Sequence, residues 1–244
     1  MRADPRRFED SPGAPFLRAF LAVRSRVAED ELASAVARGV RQYVILGAGL
    51  DTFAYRNPHH GLRVVEVDHP ATQAWKHRRL AEARVAVPEG VTFVALDFAA
   101  EPLSAAPGRA GVRRDAPSFF SRLGVTPYLE PAEVLATLAA IAPFAAGGGG
   151  VVFDYGVPPA SLAPPQRAAF EALAARVAAA GEPFCAFFEP LTLVAAVQRL
   201  GFGEVRDIPP HGLNARFFAG RADGLRVGSA GHILMARGRD SHLP

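Results

Sequence analysis

Apolar residues recur at helical spacing between Phe16 and Arg38, at Phe16, Phe20, Val23, Val27, Leu32 and Val36, and Gly39 offers a stop. The pattern predicts a helical segment within residues 1–40. The period then changes. The runs YVILG (43–47), LRVVEVD (62–68), VTFVALD (91–97) and FFSRLGV (119–125) are short, apolar and closed by a polar residue or glycine, which reads as four parallel strands. A helix is expected over 69–85, where Pro70 suits the first turn, and another over 131–144, stopped by the glycines at 147–150. VVFDYG (151–156) is a fifth strand, and the alternation of strand and helix predicts an open, mostly parallel α/β sheet with helices on both faces. Towards the C terminus a helix over 191–200 precedes the strand-like GFGEVRDI and a final strand, SAGHILMAR (229–237). With almost no room for a crossover helix between those two, the last strand is expected to be antiparallel and hairpin-like. Residues 157–189, opened by four prolines, read as an insertion over the active site, and no shift in composition divides the 244 residues into more than a single domain.

Composition narrows the partners. A chain of this length buries enough surface for one core without staples. Its formal net charge of +3 comes from dispersed basic residues, which is not a nucleic-acid footprint. No run of about 18 apolar residues suggests a membrane span, and the opening MRADPRRFEDSPGAPF lacks the apolar heart of a signal peptide. The one cysteine, Cys185, cannot bridge within the chain and is expected to be a buried thiol in a reducing cytoplasm. Lys76 is the only lysine among many arginines, which reads as composition bias. There is no Cys/His metal spacing and no G-x-S-x-G elbow. A cytoplasmic protein acting on a small molecule is the expectation.

In open α/β sheets ligands sit at the carboxyl ends of the strands. The first such end is GAGLD, where Gly47 and Gly49 permit close approach and positive φ. Asp68, ending the second strand 19 positions after Gly49, is placed to accept from the two ribose hydroxyls of an adenosine ligand. A helix-capping role is compatible with this, and Glu66, on the same strand face, is its rival for the ribose. At the third end Asp97 could accept from the adenine amine while Phe98 covers the ring. A nicotinamide-dependent oxidoreductase shares these features, but Thr52 stands where a third glycine belongs and Asp51 would face the pyrophosphate.

RQYVILGAGLDTFAYR, VVEVDHP, VALDF, FFSRLGVTPYLEP and FFEPLTLVAAVQRLGF together resemble the successive motifs of the leucine carboxyl methyltransferase family, in particular its bacterial O-methyltransferase branch. The resemblance spans about residues 20–237 and implies a Rossmann-like class I methyltransferase: a mostly parallel seven-stranded sheet with an antiparallel last strand, using S-adenosylmethionine. It assigns the GAG turn (Gly47, Ala48, Gly49) to the methionine moiety, Asp68 to the ribose and Asp97 with Phe98 to the adenine. Asp51 and Leu123 are counted among the cofactor-contacting positions. An arginine of the N-terminal helix meets the cofactor carboxylate in this family, and AVRSRVAEDEL aligns Arg26 best, with Arg24 as competitor. The leucine-specific enzymes carry a glutamate where this chain has Leu123, and the bacterial relatives usually show an aromatic residue where Arg122 stands. Tyr128, Tyr155 and His211 are the acceptor-pocket candidates. No residue suggests itself as a general base, so the expected acceptor is a small-molecule carboxylate, already ionised at neutral pH, which becomes a methyl ester. The alternatives are the oxidoreductase and a cofactor-binding module without turnover.

Overall fold

The computed structural model describes residues 14–97, 101–102 and 105–239. Helix α1 (Ala14–Ala37) leads into β1 (Gln42–Leu46), the short α2 (Phe53–Arg56), β2 (Arg63–Asp68), α3 (Pro70–Glu82), β3 (Val91–Ala95), the single-turn α4 (Ala106–Arg109) and β4 (Ser118–Arg122). A 3-10 turn (Thr126–Tyr128), α5 (Pro131–Ala145), β5 (Gly150–Gly156), α6 (Pro164–Ala179), α7 (Pro190–Arg199), β6 (Phe202–Ile208), α8 (Pro210–Phe217) and β7 (Gly231–Gly238) complete it.

The seven strands lie in the order β3-β2-β1-β4-β5-β7-β6. The pairings from β3 to β5 are parallel, whereas β7 runs antiparallel to both β5 and β6. Strands β1 and β4 are buried along their whole lengths. That is why they read as continuous apolar runs rather than alternating ones. Alternate side chains feed two cores. Val44, Leu46, Phe120 and Phe153 pack on one side with α5 and α7, while Tyr43, Ile45, Phe119 and Val152 pack on the other with α1 and α8.

Two features depart from the sequence pattern. The link from β6 to β7 is not a bare hairpin: α8 begins at Pro210 as its first turn and buries Leu213, and Asn214 then anchors Val227 through both its amide groups. With two consecutive prolines at its head and a single buried leucine, this helix lacks a periodic apolar stripe. Cys185, expected to be buried, is exposed, because residues 182–189 run over the surface of the strand ends.

Candidate active site

The strand order diverges between β1 and β4, so the crevice beyond their carboxyl ends is the place for a ligand. Gly47 has φ +74°, and a Cβ there would stand 2.2 Å from a methyl of Val125, in the turn after β4. Gly49, with φ +42°, has nothing within 4 Å of its Cβ position. The two glycines therefore do different work: Gly47 lets the β4 turn close against β1, and Gly49 leaves the crevice open.

Asp68 stands over this turn. Its Oδ2 accepts from the Gly49 N–H at 2.5 Å and its Oδ1 from the His69 N–H at 2.6 Å, so the carboxylate is oriented by two backbone donors. The cap of α3 is supplied by His69, whose Nδ1 accepts from the Ala71 N–H, and not by Asp68. Glu66 is no rival for the ribose. It is buried on the α3 side, with its Oε2 2.5 Å from Nζ of Lys76. The only lysine thus has a buried carboxylate as its structural partner. Asp51 turns its Oδ1 onto the Phe53 N–H and fixes the start of α2. Asp97 follows β3 on the surface, 3.8 Å from Nε2 of His69. Phe98 lies outside the described residues.

The two helix arginines separate clearly. Arg26 is 66% exposed and pairs with Asp30 one turn on, so it does not face the crevice. Arg24 does: its Nη1 donates to Asp154 at 2.7 Å, and its guanidinium lies against Gly124, where a Cβ would be 2.7 Å from Nη2. Asp154 also accepts from the Gly124 N–H at 2.6 Å. This aspartate, absent from the expected site, ties α1, the β4 turn and β5 together. Its signal in the sequence was an acidic residue inside an otherwise apolar parallel strand. Leu123, in the same turn, packs part-buried on the α1 side.

On the opposite face of the sheet the acceptor candidate Tyr155 is not a free group. The Tyr155 hydroxyl donates to Asp207 at 2.8 Å, and burial, reinforced by that carboxylate, pushes its proton affinity far above the ordinary tyrosine range. His232, from β7, directs Nδ1 at both oxygens of Asp207, at 3.0 and 3.1 Å. This Tyr155–Asp207–His232 cluster joins the top ends of three strands and was not legible in sequence, since Asp207 lies 52 positions from Tyr155 and 25 from His232. Tyr128 sits in the 3-10 turn with its ring 5.7 Å from Phe184, and burial raises its pKa as well. His211 is exposed in the first turn of α8, not in a loop. Residues 182–189 cross above. The Cys185 and Ala186 N–H groups donate to the Pro127 carbonyl and the Phe188 N–H to that of Gly156, which fastens this stretch to the ends of β4 and β5.

Arg122 closes β4. It is 1% exposed, and none of its three guanidinium nitrogens has a hydrogen-bond partner among the described residues. Its Cζ lies 5.2 Å from the centre of the Phe153 ring. Burial lowers its pKa to about 10, opposed by the nearby Asp154, so it remains a cation at neutral pH. An unpaired buried charge costs several kcal/mol, of which a cation–π contact returns about 2.

Residues 2–142 match the leucine carboxyl methyltransferase family. A Bacillus subtilis protein with the provisional name S-adenosyl-L-methionine-dependent methyltransferase YktD is 32% identical over 215 residues, 87% of this chain and 70% of that one. A Parafrankia protein with the same provisional activity in its name is 40% identical over 51% of this chain and 41% of its own. Among solved structures, a Thermobifida fusca protein provisionally called a methyltransferase superposes with a TM-score of 0.65 at 17% identity, covering 95% of this chain and 85% of that one. Human N-acetylserotonin methyltransferase, solved in complex with SAM, gives a TM-score of 0.52 at 15% identity over 94% of this chain and 57% of its own. At such identities these two structures establish the shared fold.

Proposed function

This chain belongs to the leucine carboxyl methyltransferase family of S-adenosylmethionine-dependent methyltransferases, and from that premise we propose that it is an O-methyltransferase that converts a carboxylate of a small molecule into its methyl ester. The observation that carries the cofactor reading is the Asp68 carboxylate, held by Gly49 and His69 at the mouth of an open glycine turn. Its orientation suits the vicinal hydroxyls of a ribose. Arg24, steadied by Asp154, is the α1 cation that fits the cofactor's amino-acid carboxylate. When bound, S-adenosylmethionine supplies a methyl group made electrophilic by a sulfonium. The chain's own task is to hold the acceptor oxygen close and dry.

The acceptor reading follows from protonation. Tyr128 and Tyr155 both have raised pKa values, so neither phenol is a base at neutral pH. A carboxylate acceptor, with a pKa of about 4, needs none. A hydroxyl acceptor is the second reading, favoured by the His232–Asp207 pair: a carboxylate on Nδ1 leaves Nε2 as a proton acceptor. Methyl-labelled S-adenosylmethionine, incubated with the protein and a panel of carboxylic acids and phenols, tests the choice. The expected product is an ester that releases label in alkali. An alkali-stable methyl ether would overturn the carboxylate reading and select the hydroxyl one.

A further inference from the structure

Arg122 is a buried cation whose guanidinium has no hydrogen-bond partner among the described residues. It faces the same side of the sheet as Phe120, by strand alternation, and therefore the side opposite Arg24 and Asp154. Asp154, the carboxylate nearest to it electrostatically, is already engaged by Arg24 and the Gly124 N–H. At the other end of the same turn Thr126 is fully buried, and its Oγ1 also lacks a hydrogen-bond partner among the described residues. Two unsatisfied polar groups thus bracket residues 123–125, the turn whose Val125 abuts Gly47 and whose Gly124 abuts Arg24. A ligand reaching Arg122 lies across that one turn from the glycine crevice.

Aromatic rings line one side of Arg122. Phe153 presents its face to the guanidinium, Tyr155 and Phe188 continue the aromatic wall, and residues 184–188 are fastened above by the Pro127 and Gly156 carbonyls. A planar fork of donors set against a row of aromatic rings matches a planar anion attached to an apolar body.

We propose that Arg122 receives the carboxylate of the methyl acceptor, and that the acceptor is an aryl or acyl acid whose apolar part lies beneath residues 184–188. The proposal rests on the methyltransferase reading. It also explains product release, since esterification removes the charge that Arg122 recognises.

Binding rather than turnover tests it. Phenylacetate and octanoate, each beside its amide, are titrated calorimetrically into protein saturated with S-adenosylhomocysteine. At least one acid is expected to bind tenfold or more tighter than its amide. Arg122→Met should abolish that preference while leaving S-adenosylhomocysteine affinity within twofold and the ligand-free melting temperature unchanged or raised, because an unpaired buried charge has been removed. Arg122→Lys, which keeps the charge but not the fork, should retain part of the preference and serves if the methionine variant does not fold. The proposal is overturned if neither acid is preferred over its amide, if both variants keep the full preference, or if the methionine variant folds with a lowered melting temperature. Weakened S-adenosylhomocysteine binding in the variants would reassign Arg122 to the cofactor. If the wild type does not bind S-adenosylhomocysteine, it is the methyltransferase reading that fails, and the proposal falls with it.

Discussion

Glu66 and Lys76 are buried against each other beneath α3, and burial raises the Glu66 pKa more than Lys76 lowers it. Tyr55 lies alongside, its ring 5.5 Å from Nζ. A carboxyl that holds its proton more firmly in the folded chain favours folding below its unfolded pKa, 4.5 here, and loses that advantage as pH rises through the folded value. Glu66→Gln has no proton to lose over this range. Its melting temperature relative to wild type should therefore climb between pH 4 and pH 7, by about 3 to 5 °C for each tenfold difference in proton affinity. Scanning calorimetry of both proteins across that range measures it, and a constant difference would mean that Glu66 has the same proton affinity in the folded and unfolded chain. Neither the burial nor the pairing was legible beforehand, since a glutamate two residues before Asp68 reads equally well as a ligand group.

Among the elements, α1 illustrates what periodicity can and cannot decide. Its apolar stripe placed the helix within two residues at its N-terminal end and correctly marked Val23, Val27 and Leu32 as buried. The stripe does not say which flank meets the strand ends. Arg24 and Arg26 stand on either side of it, and only the docking of α1 over β5 turns Arg24 inward to Asp154. Arg24→Ala should weaken S-adenosylhomocysteine binding tenfold or more, and Arg26→Ala, which removes a solvent-exposed helix pair, less than twofold. Calorimetric titration at a temperature where both variants remain folded separates the two; equal losses would remove Arg24 from the cofactor site.

For the whole molecule, a ligand that binds only the folded chain stabilises it by about 2.7 kcal/mol at 100 times its dissociation constant. At this size each kcal/mol moves the melting temperature by roughly 2 to 4 °C, so saturating S-adenosylhomocysteine should raise it by about 5 to 11 °C. NAD should leave it unmoved, because Thr52 interrupts the glycine pattern and Asp51 places a negative charge beside the turn. A shift with NAD alone would contradict the family's cofactor for this chain.

The parts of this protein set by local chemistry were determined by its sequence alone. Continuous apolar runs mark strands buried on both faces, prolines open helices α3 and α5, and glycines turn the chain at Gly39 and Gly47. Asp68 belongs here too, because the distance from a glycine turn to the end of the next parallel strand is itself a local property of one strand–helix–strand unit. The tertiary structure alone decided what depends on groups far apart in the chain. Arg24 meets Asp154 across 130 positions, Tyr155 meets Asp207 across 52, and Val125 fills the space that Gly47 leaves. Whether a charge finds a partner is settled only when the sheet brings distant strand ends together. The same packing that satisfies Arg24 leaves Arg122 buried on the other face with no hydrogen-bond partner among the described residues.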